Sequence, residues 1–475
     1  MMSKRPLIIG FLLVIVAGLV MADREVPVAK HSEPEILAPP KMSQLDPSGT
    51  RDSSWYCIGG TGGSSGIATM SVVIANIGQV ARGGTITWFG SEGTPVVKTI
   101  QADAYRSTEF QSPAEMTPSY LSAMVELDGG DVAVEHVITG PRGNSAAPCV
   151  SEPSKTWYLA NGSTARDATQ VLMIFNPFPT EAVVDITFST SEGNDSPVPL
   201  QGLPIPARSM KALDLSERRR DFTSSFVNAR TGRVVVERLQ SFDGLADRVG
   251  ATLTPAAPVA TTTWLFPRGY YDASTTERWH IYNPTKREAQ VSIEITTDDQ
   301  TILPEPIDLV ITQNSRTTVD SAEQARVPPG VGYAVQVNSL NEVPIVVERE
   351  VIGRSPSLPR GWSSALGSPQ TSTMWVFPVG ESSETVRESL VVQNPGTKAV
   401  TFSVFTIADG VRSELSAFQN RELKPGGRLN LALYDQIRLA KLPLIVEASA
   451  PVVAERSLDS MTAVGASWVM GVPAP

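Results

Sequence analysis

The chain has 475 residues, 41% of them hydrophobic and 19% charged, with 39 Lys and Arg against 49 Asp and Glu. Its length exceeds one ordinary core and suits three or four domains of roughly 150 residues each, with a composition typical of soluble globular proteins. A formal charge of -10 argues against nucleic acid as a partner, because phosphates call for clustered Lys and Arg, and the longest basic run, Arg218-Arg219-Arg220, reads as a solvated loop.

Residues 1–22 read as a targeting element. Lys4 and Arg5 precede an apolar run from Pro6 to Ala22, and Asp23, Arg24 and Glu25 follow. A basic start, a short apolar core and small residues before a polar break describe a secretory signal, with Val20-Met21-Ala22 an acceptable cleavage site. The run also reaches the lower limit for an uncleaved membrane anchor, so a transmembrane helix with its basic end inside fits nearly as well. No cysteine follows it directly, which excludes a lipoprotein. Either way the remainder is expected outside the cytoplasm, secreted or anchored, and touching the membrane only through this segment. Residues 23–50, with Pro39-Pro40 and no helical or strand periodicity, read as a disordered spacer.

From Trp55 onward the chain repeats itself. Thr263-Trp-Leu-Phe-Pro267 is followed by Asn283-Pro284, Trp375-Val-Phe-Pro378 by Asn394-Pro395, Trp157-Tyr-Leu159 by Asn176-Pro177, and Trp55-Tyr-Cys57 by Asn76. Late in each repeat stands Val132-Ala-Val-Glu-His136, Val234-Val-Val-Glu-Arg238, Ile345-Val-Val-Glu-Arg349 or Val452-Val-Ala-Glu-Arg456. Between these landmarks lies an arginine before a short apolar run: Arg106, Arg208, Arg316 and Arg428. Such a periodicity sets the architecture before any residue-level reading.

Within each repeat short apolar or alternating runs, such as Val171–Phe175 and Val291–Ile295, are separated by Gly, Pro, Asn, Asp and Ser. This predicts an all-β protein of four tandem Ig-like β-sandwich units at 51–153, 154–260, 261–371 and 372–475. Propeller blades are the rival, but they repeat at about 40–50 residues.

Chemistry-bearing motifs are few. Gly59-Gly-Thr-Gly-Gly-Ser-Ser-Gly66 lacks the Gly-Lys-Ser/Thr ending of a phosphate loop and reads as a hairpin loop. Only His136 and His280 could serve a Ser–His–Asp assembly, and His136 stands where the other repeats carry Arg238, Arg349 and Arg456. No metal-ligand spacing and no nucleophile elbow is found, so neither metal nor cofactor is expected. The glutamate of the late landmark occurs once per unit, as Glu135, Glu237, Glu348 and Glu455; that is the pattern of a packing device, not of a single acid–base pair. The motif tryptophans read as core anchors, whereas Trp279, Trp362 and Trp468 could stack on sugars or partners.

Two pairings follow. Cys57 lies two residues after Trp55, on the same strand face, and Cys149 lies in the unit's apparent last strand, where Ala251 and Trp362 hold the equivalent place by count. First and last strands can be neighbours, which predicts a Cys57–Cys149 disulfide in an oxidising compartment. A carboxylate among valines needs a cation. Since adjacent strand residues face opposite ways, the expected pairs are Arg106–Glu135, Arg208–Glu237, Arg316–Glu348 and Arg428–Glu455.

With Trp-x-x-Pro, Asn-Pro and Val-Val-Glu-Arg in place, the chain resembles, over about residues 55–475, a family of secreted or membrane-anchored actinobacterial proteins of unknown function. The resemblance implies a cell-envelope component and carries over no functional residues. The expected function is therefore a non-catalytic extracytoplasmic scaffold or binding module with an envelope protein or glycan as partner. The alternative is a hydrolase of glycan or peptidoglycan, in which polar residues converge in a cleft of one specialised unit.

Overall fold

A computed structural model describes residues 41–475 except 63–65, 217–220, 300 and 357. The targeting element at 1–22, the spacer up to residue 40 and the Arg218–Arg220 triplet lie outside the described residues. Among the described residues no helix is long and apolar enough to cross a membrane.

The fold is all-β, with antiparallel sheets and short 3-10 turns between them. Each unit contributes two sheets. One contains the strand of the motif Trp: Asp52–Ile58, Thr156–Leu159, Thr263–Tyr270 and Ser372–Phe377. The other has four strands in a constant order, here named flank, inner, late and axial. In unit 3 these are Ser315–Asp320, Thr275–Asn283, Val346–Gly353 and Gly361–Leu366. In unit 4 the 17-residue strand Leu444–Ser460 runs through both sheets, pairing the motif strand by its first half and the inner strand by its second.

The recurring residues hold each unit together. The indole N–H of Trp157, Trp264 and Trp375 donates to the carbonyl at the head of the late strand, on Val234 (2.8 Å), Ile345 (2.8 Å) and Val452 (2.9 Å). Each motif Asn is buried, its Oδ1 accepting from the backbone N–H two residues on and its Nδ2 donating to the carbonyl four residues on. The asparagine side chain thus replaces backbone partners in the turn that follows the inner strand. A glycine five residues after each motif Trp, at 60, 162, 269 and 380, is a landmark absent from the reading above. At Gly269 a Cβ would collide with the Tyr333 ring, and at Gly380 with the Leu442 carbonyl, so the spacing is fixed by close backbone approach.

The Cys57–Cys149 disulfide is formed. The count that equated Cys149 with Ala251 and Trp362 falls five residues short in units 2 and 3, because the late-to-axial hairpins differ in length. Strand pairing sets Cys149 level with Ala256, Gly367 and Gly471. The position two after each motif Trp is filled by Cys57, Leu159, Phe266 and Phe377. A Cβ on Gly367 would lie 2.6 Å from the Phe266 ring, and one on Gly471 2.7 Å from the Phe377 ring. The disulfide therefore occupies the place where other units set a large side chain against a small one.

The four units close into a ring. Their axial strands (Gly143–Pro148, Val249–Pro255, Gly361–Leu366, Ala466–Met470) pack 1 on 2, 2 on 3, 3 on 4 and 4 on 1 around a common axis. Leu253 N donates to Ser145 Oγ (3.4 Å), Thr254 Oγ1 to Ser364 O (3.2 Å), Trp468 N to Ser363 Oγ (3.2 Å) and Ala146 N to Ser467 Oγ (3.0 Å). Closure explains why Val171, Leu172, Met173, Ile174 and Phe175 are all fully buried: one face packs on the unit's own second sheet and the other on its neighbour, so the strand is apolar throughout. Residues 41–50, read as the end of the spacer, are packed instead. Leu45 is buried and donates its N–H to Pro473 O (2.9 Å), and Asp131 N donates to Asp46 O (3.0 Å), so the segment straps unit 1 to the end of unit 4.

Candidate functional site

The residues singled out by the repeat meet at the junctions between units. Glu348 of unit 3 accepts from Arg238 of unit 2, Nη2 to Oε2 at 2.9 Å, and from the backbone N–H groups of Ala160 (2.7 Å) and Asn161 (3.1 Å). Glu455 of unit 4 accepts from Arg349 of unit 3 and from Arg268 N (3.1 Å). Glu135 of unit 1 accepts from Arg456 of unit 4 (3.1 Å) and from Val379 N (2.8 Å). These three arginines also donate to the carbonyls of Asn161, Arg268 and Val379, four residues past each motif Trp. The fourth joint uses His136 of unit 1, whose Nε2 meets Glu237 Oε1 of unit 2 at 2.9 Å. All eight side chains are at most 1% exposed. Burial pushes the Glu237 carboxyl above its ordinary range, against the pull of His136.

This corrects the four expected Arg–Glu pairs. In each unit the inner strand separates the flank strand from the late strand, so their side chains stand two strand spacings apart, roughly 10 Å. Nor do the four arginines share one register. Arg316 and Arg428 lie opposite the residue before the motif Asn, Arg106 lies opposite Asn76, and Arg208 sits exposed in the preceding turn at φ +47°. Arg106 pairs with Asp409 (3.3 Å) and Arg428 with Asp298 (3.4 Å). The alternation rule did hold: Glu237 and Arg238 face opposite ways, and each finds its partner in a different neighbouring unit.

Beside each joint lies a second set of positions that face the preceding unit in the same register. At the 2–3 junction they are His280, Arg316, Glu350 and Trp362. Trp362 Nε1 donates to Glu350 Oε1 (2.6 Å), and Arg248 and Arg278 approach the same carboxylate at 3.4 and 3.5 Å. Burial opposes charge on Glu350, but His280 and the two guanidiniums outweigh it and hold the carboxyl well below its usual range. Arg316 Nη2 donates to His280 Nδ1 at 3.0 Å. Since arginine only donates, Nδ1 is the acceptor, and Nε2–H donates to Glu350 Oε2 at 3.2 Å. Burial, with Arg316 nearby, lowers the His280 pKa and favours this neutral form, and burial pulls Arg316 down to about 10. Both ring nitrogens are thereby engaged, and neither is left to activate a nucleophile.

The equivalent positions at the 1–2 junction are Met173, Met210, Leu239 and Ala251, an apolar plug in one core cluster with Ile58 and Phe89. At the 3–4 junction Arg428 and Trp468 fill the space, with Arg268 over the Trp468 ring at 4.2 Å and Asp459 accepting its indole N–H at 2.8 Å. At the 4–1 junction the same positions are Val73, Ser107, Val137 and Asn144, and there a groove of about 240 Å3 is open. Trp279, Trp362 and Trp468, considered above for stacking on partners, are all buried. Cys57, His136 and Cys149 place donor atoms within 4.8 Å of one another, but both sulfurs are spent in the disulfide and offer no thiolate to a metal.

The family of unknown function DUF5719 matches residues 130–351, spanning the end of unit 1, all of unit 2 and most of unit 3. No curated protein matches the chain. Among solved structures, that of Thermotoga maritima 1070 is similar at 18% identity, covering 23% of this chain and 96% of that one, with a TM-score of 0.21.

Proposed function

We propose that this protein is a non-catalytic, extracytoplasmic cell-envelope component, a closed β-ring that serves as scaffold or binding module. One observation carries the reading: the recurring late-strand carboxylates, with the arginine or histidine that follows each of them, are buried in inter-unit joints. Their function in the ring is cohesion. A disulfide suits an oxidising compartment, and the basic-then-apolar start at Lys4 to Ala22 suits export; both support the location. The envelope partner is a protein or glycan, and the likeness to a family without assigned activity adds no chemistry of its own.

The hydrolase alternative has one observation in its favour, since Glu109 and Glu381 both line the open groove and glycan hydrolysis uses two carboxylates. The two readings part in one assay. Purified full-length protein incubated with peptidoglycan and envelope glycans should release no reducing ends or amino sugars. Release that is abolished by Glu109→Gln or Glu381→Gln would replace the scaffold reading with the enzymatic one.

A further inference from the structure

Four clefts of one design surround the ring, and three are plugged. The plugs differ in chemistry (two methionines and a leucine, a His–Glu–Trp cluster, a Trp under arginine); those of units 2 and 3 coincide in position, whereas Trp468 of unit 4 stands two residues along its axial strand, level with Ser364 and not with Trp362. At the 4–1 junction every plug position carries a smaller side chain: Val73 for His280, Ser107 for Arg316, Val137 for Glu350 and Asn144 for Trp362. Meanwhile the joint beneath is complete, with Arg456 on Glu135 and the 146–467 hydrogen bonds in place. The opening is therefore not a failure of closure; the frame is intact and only the filling is absent.

We propose that the 4–1 groove is a ligand site, and that it takes a small aliphatic zwitterion of about the size of a dipeptide. Val73, Val137, Val379 and Leu458 line it, and the last three remain only half-buried, an apolar floor that a ligand's aliphatic body would cover. Glu109, Glu381 and Lys441 also line it, giving carboxylates for an ammonium group and an ammonium for a carboxylate. A volume of about 240 Å3 lies below the ~300–1,000 Å3 of sites for drug-sized molecules, which selects a small ligand. Behind the wall, Glu388 is fully buried with no hydrogen bond of normal geometry to either oxygen, and a Cβ on Gly380 would stand 3.1 Å from its Oε1. A buried carboxyl so sparsely partnered calls for an account, and it stands directly behind this groove.

The proposal rests on the binding reading of the ring, and the test separates the two. Leucyl-alanine is titrated calorimetrically into the full-length protein and into Asn144→Trp and Ser107→Arg, which restore unit 3 residues; two independent fillings guard against one misfolding. Saturable binding to the wild type, weakened at least tenfold by either filling at unchanged melting temperature, supports the site. Binding that survives both fillings keeps a binding protein but overturns this groove. N-acetyl-leucyl-alanine amide should bind at least tenfold more weakly; equal binding of the capped peptide overturns the zwitterion. Absence of saturable leucyl-alanine binding overturns the proposal outright and leaves the scaffold reading standing.

Discussion

The 2–3 and 4–1 junctions are built on the same strands in the same register with the same buried Glu–Arg joint, yet one is packed with charge and the other is open. His280, Arg316, Glu350 and Trp362 occupy the positions that Val73, Ser107, Val137 and Asn144 leave unfilled. The comparison separates two tasks. Joint and axial strands close the ring, and positions beside them are free to take an apolar plug, a charged plug or none. A closed ring with four independent clefts can specialise one without weakening the frame.

The largest expected effect tests the unit that frames the open groove. Removing the Cys57–Cys149 cross-link, which spans 92 residues, should cost about 4–5 kcal/mol in the chain-entropy model. Cys57→Leu with Cys149→Ala copies unit 2's Leu159 and Ala256, so it isolates the cross-link from the packing. Thermal unfolding of the variant against the wild type measures it, and a loss below about 1 kcal/mol would show that the pair matters only as filling.

Next comes the joint. Arg238→Met leaves Glu348 buried without its cation and should cost about 3–5 kcal/mol. Glu348→Gln in the same chain should recover part of that, as a double-mutant cycle by chemical denaturation would show. Arg456→Met at the 4–1 joint should behave alike, because Glu135 is as buried as Glu348. A much smaller effect there would mean that the open junction is also the weaker one.

Interchanging the plugs compares the clefts directly. Trp362→Asn should cost about 3 kcal/mol or more, from the cavity and from the indole N–H lost to Glu350. Asn144→Trp enters an open groove and should change stability by about 1 kcal/mol or less. Comparable losses from both would contradict the description of one cleft as filled and the other as empty.

The subtlest effect within any one pH unit is that of the buried carboxylates, and its sign is opposite at the two junctions. Burial lifts Glu388 to about 8, against the pull of Arg456. The native state holds that proton through a window in which the unfolded chain has lost it. Stability from this group therefore falls as pH rises from the ordinary carboxylate range to about 8, with a slope of at most about 1.4 kcal/mol per pH unit. Glu388→Gln should flatten that slope. Glu350 is held low instead, so its contribution is complete above the ordinary carboxylate range and is lost on acidification below it. Denaturation midpoints from pH 3 to 9 would show both limbs.

Much of the architecture is legible in the sequence, for physical reasons. The motif Asn in every unit, and the motif Trp in units 2 to 4, satisfy backbone groups that would otherwise be buried without partners, so their spacing reports the strand order within a unit. Gly60, Gly162, Gly269 and Gly380 carried the same information and were missed, because glycine signals only where the backbone comes close. Cys57 and Cys149 were paired correctly although the count behind the pairing was off, since hairpin length does not alter which strand ends meet.

The sequence alone determined the all-β class, the fourfold repeat and the face on which each recurring charge lies within its strand, because strand periodicity is local. It could not determine what covers that face. Whether Glu237 meets an arginine of its own unit or His136 of the unit before it depends on ring closure, which brings residues some 320 positions apart, such as Glu135 and Arg456, within hydrogen-bond distance. The open groove follows from the same closure: valine, serine and asparagine at those positions are unremarkable in a strand, and they leave a cavity only because the neighbouring unit brings nothing to fill it.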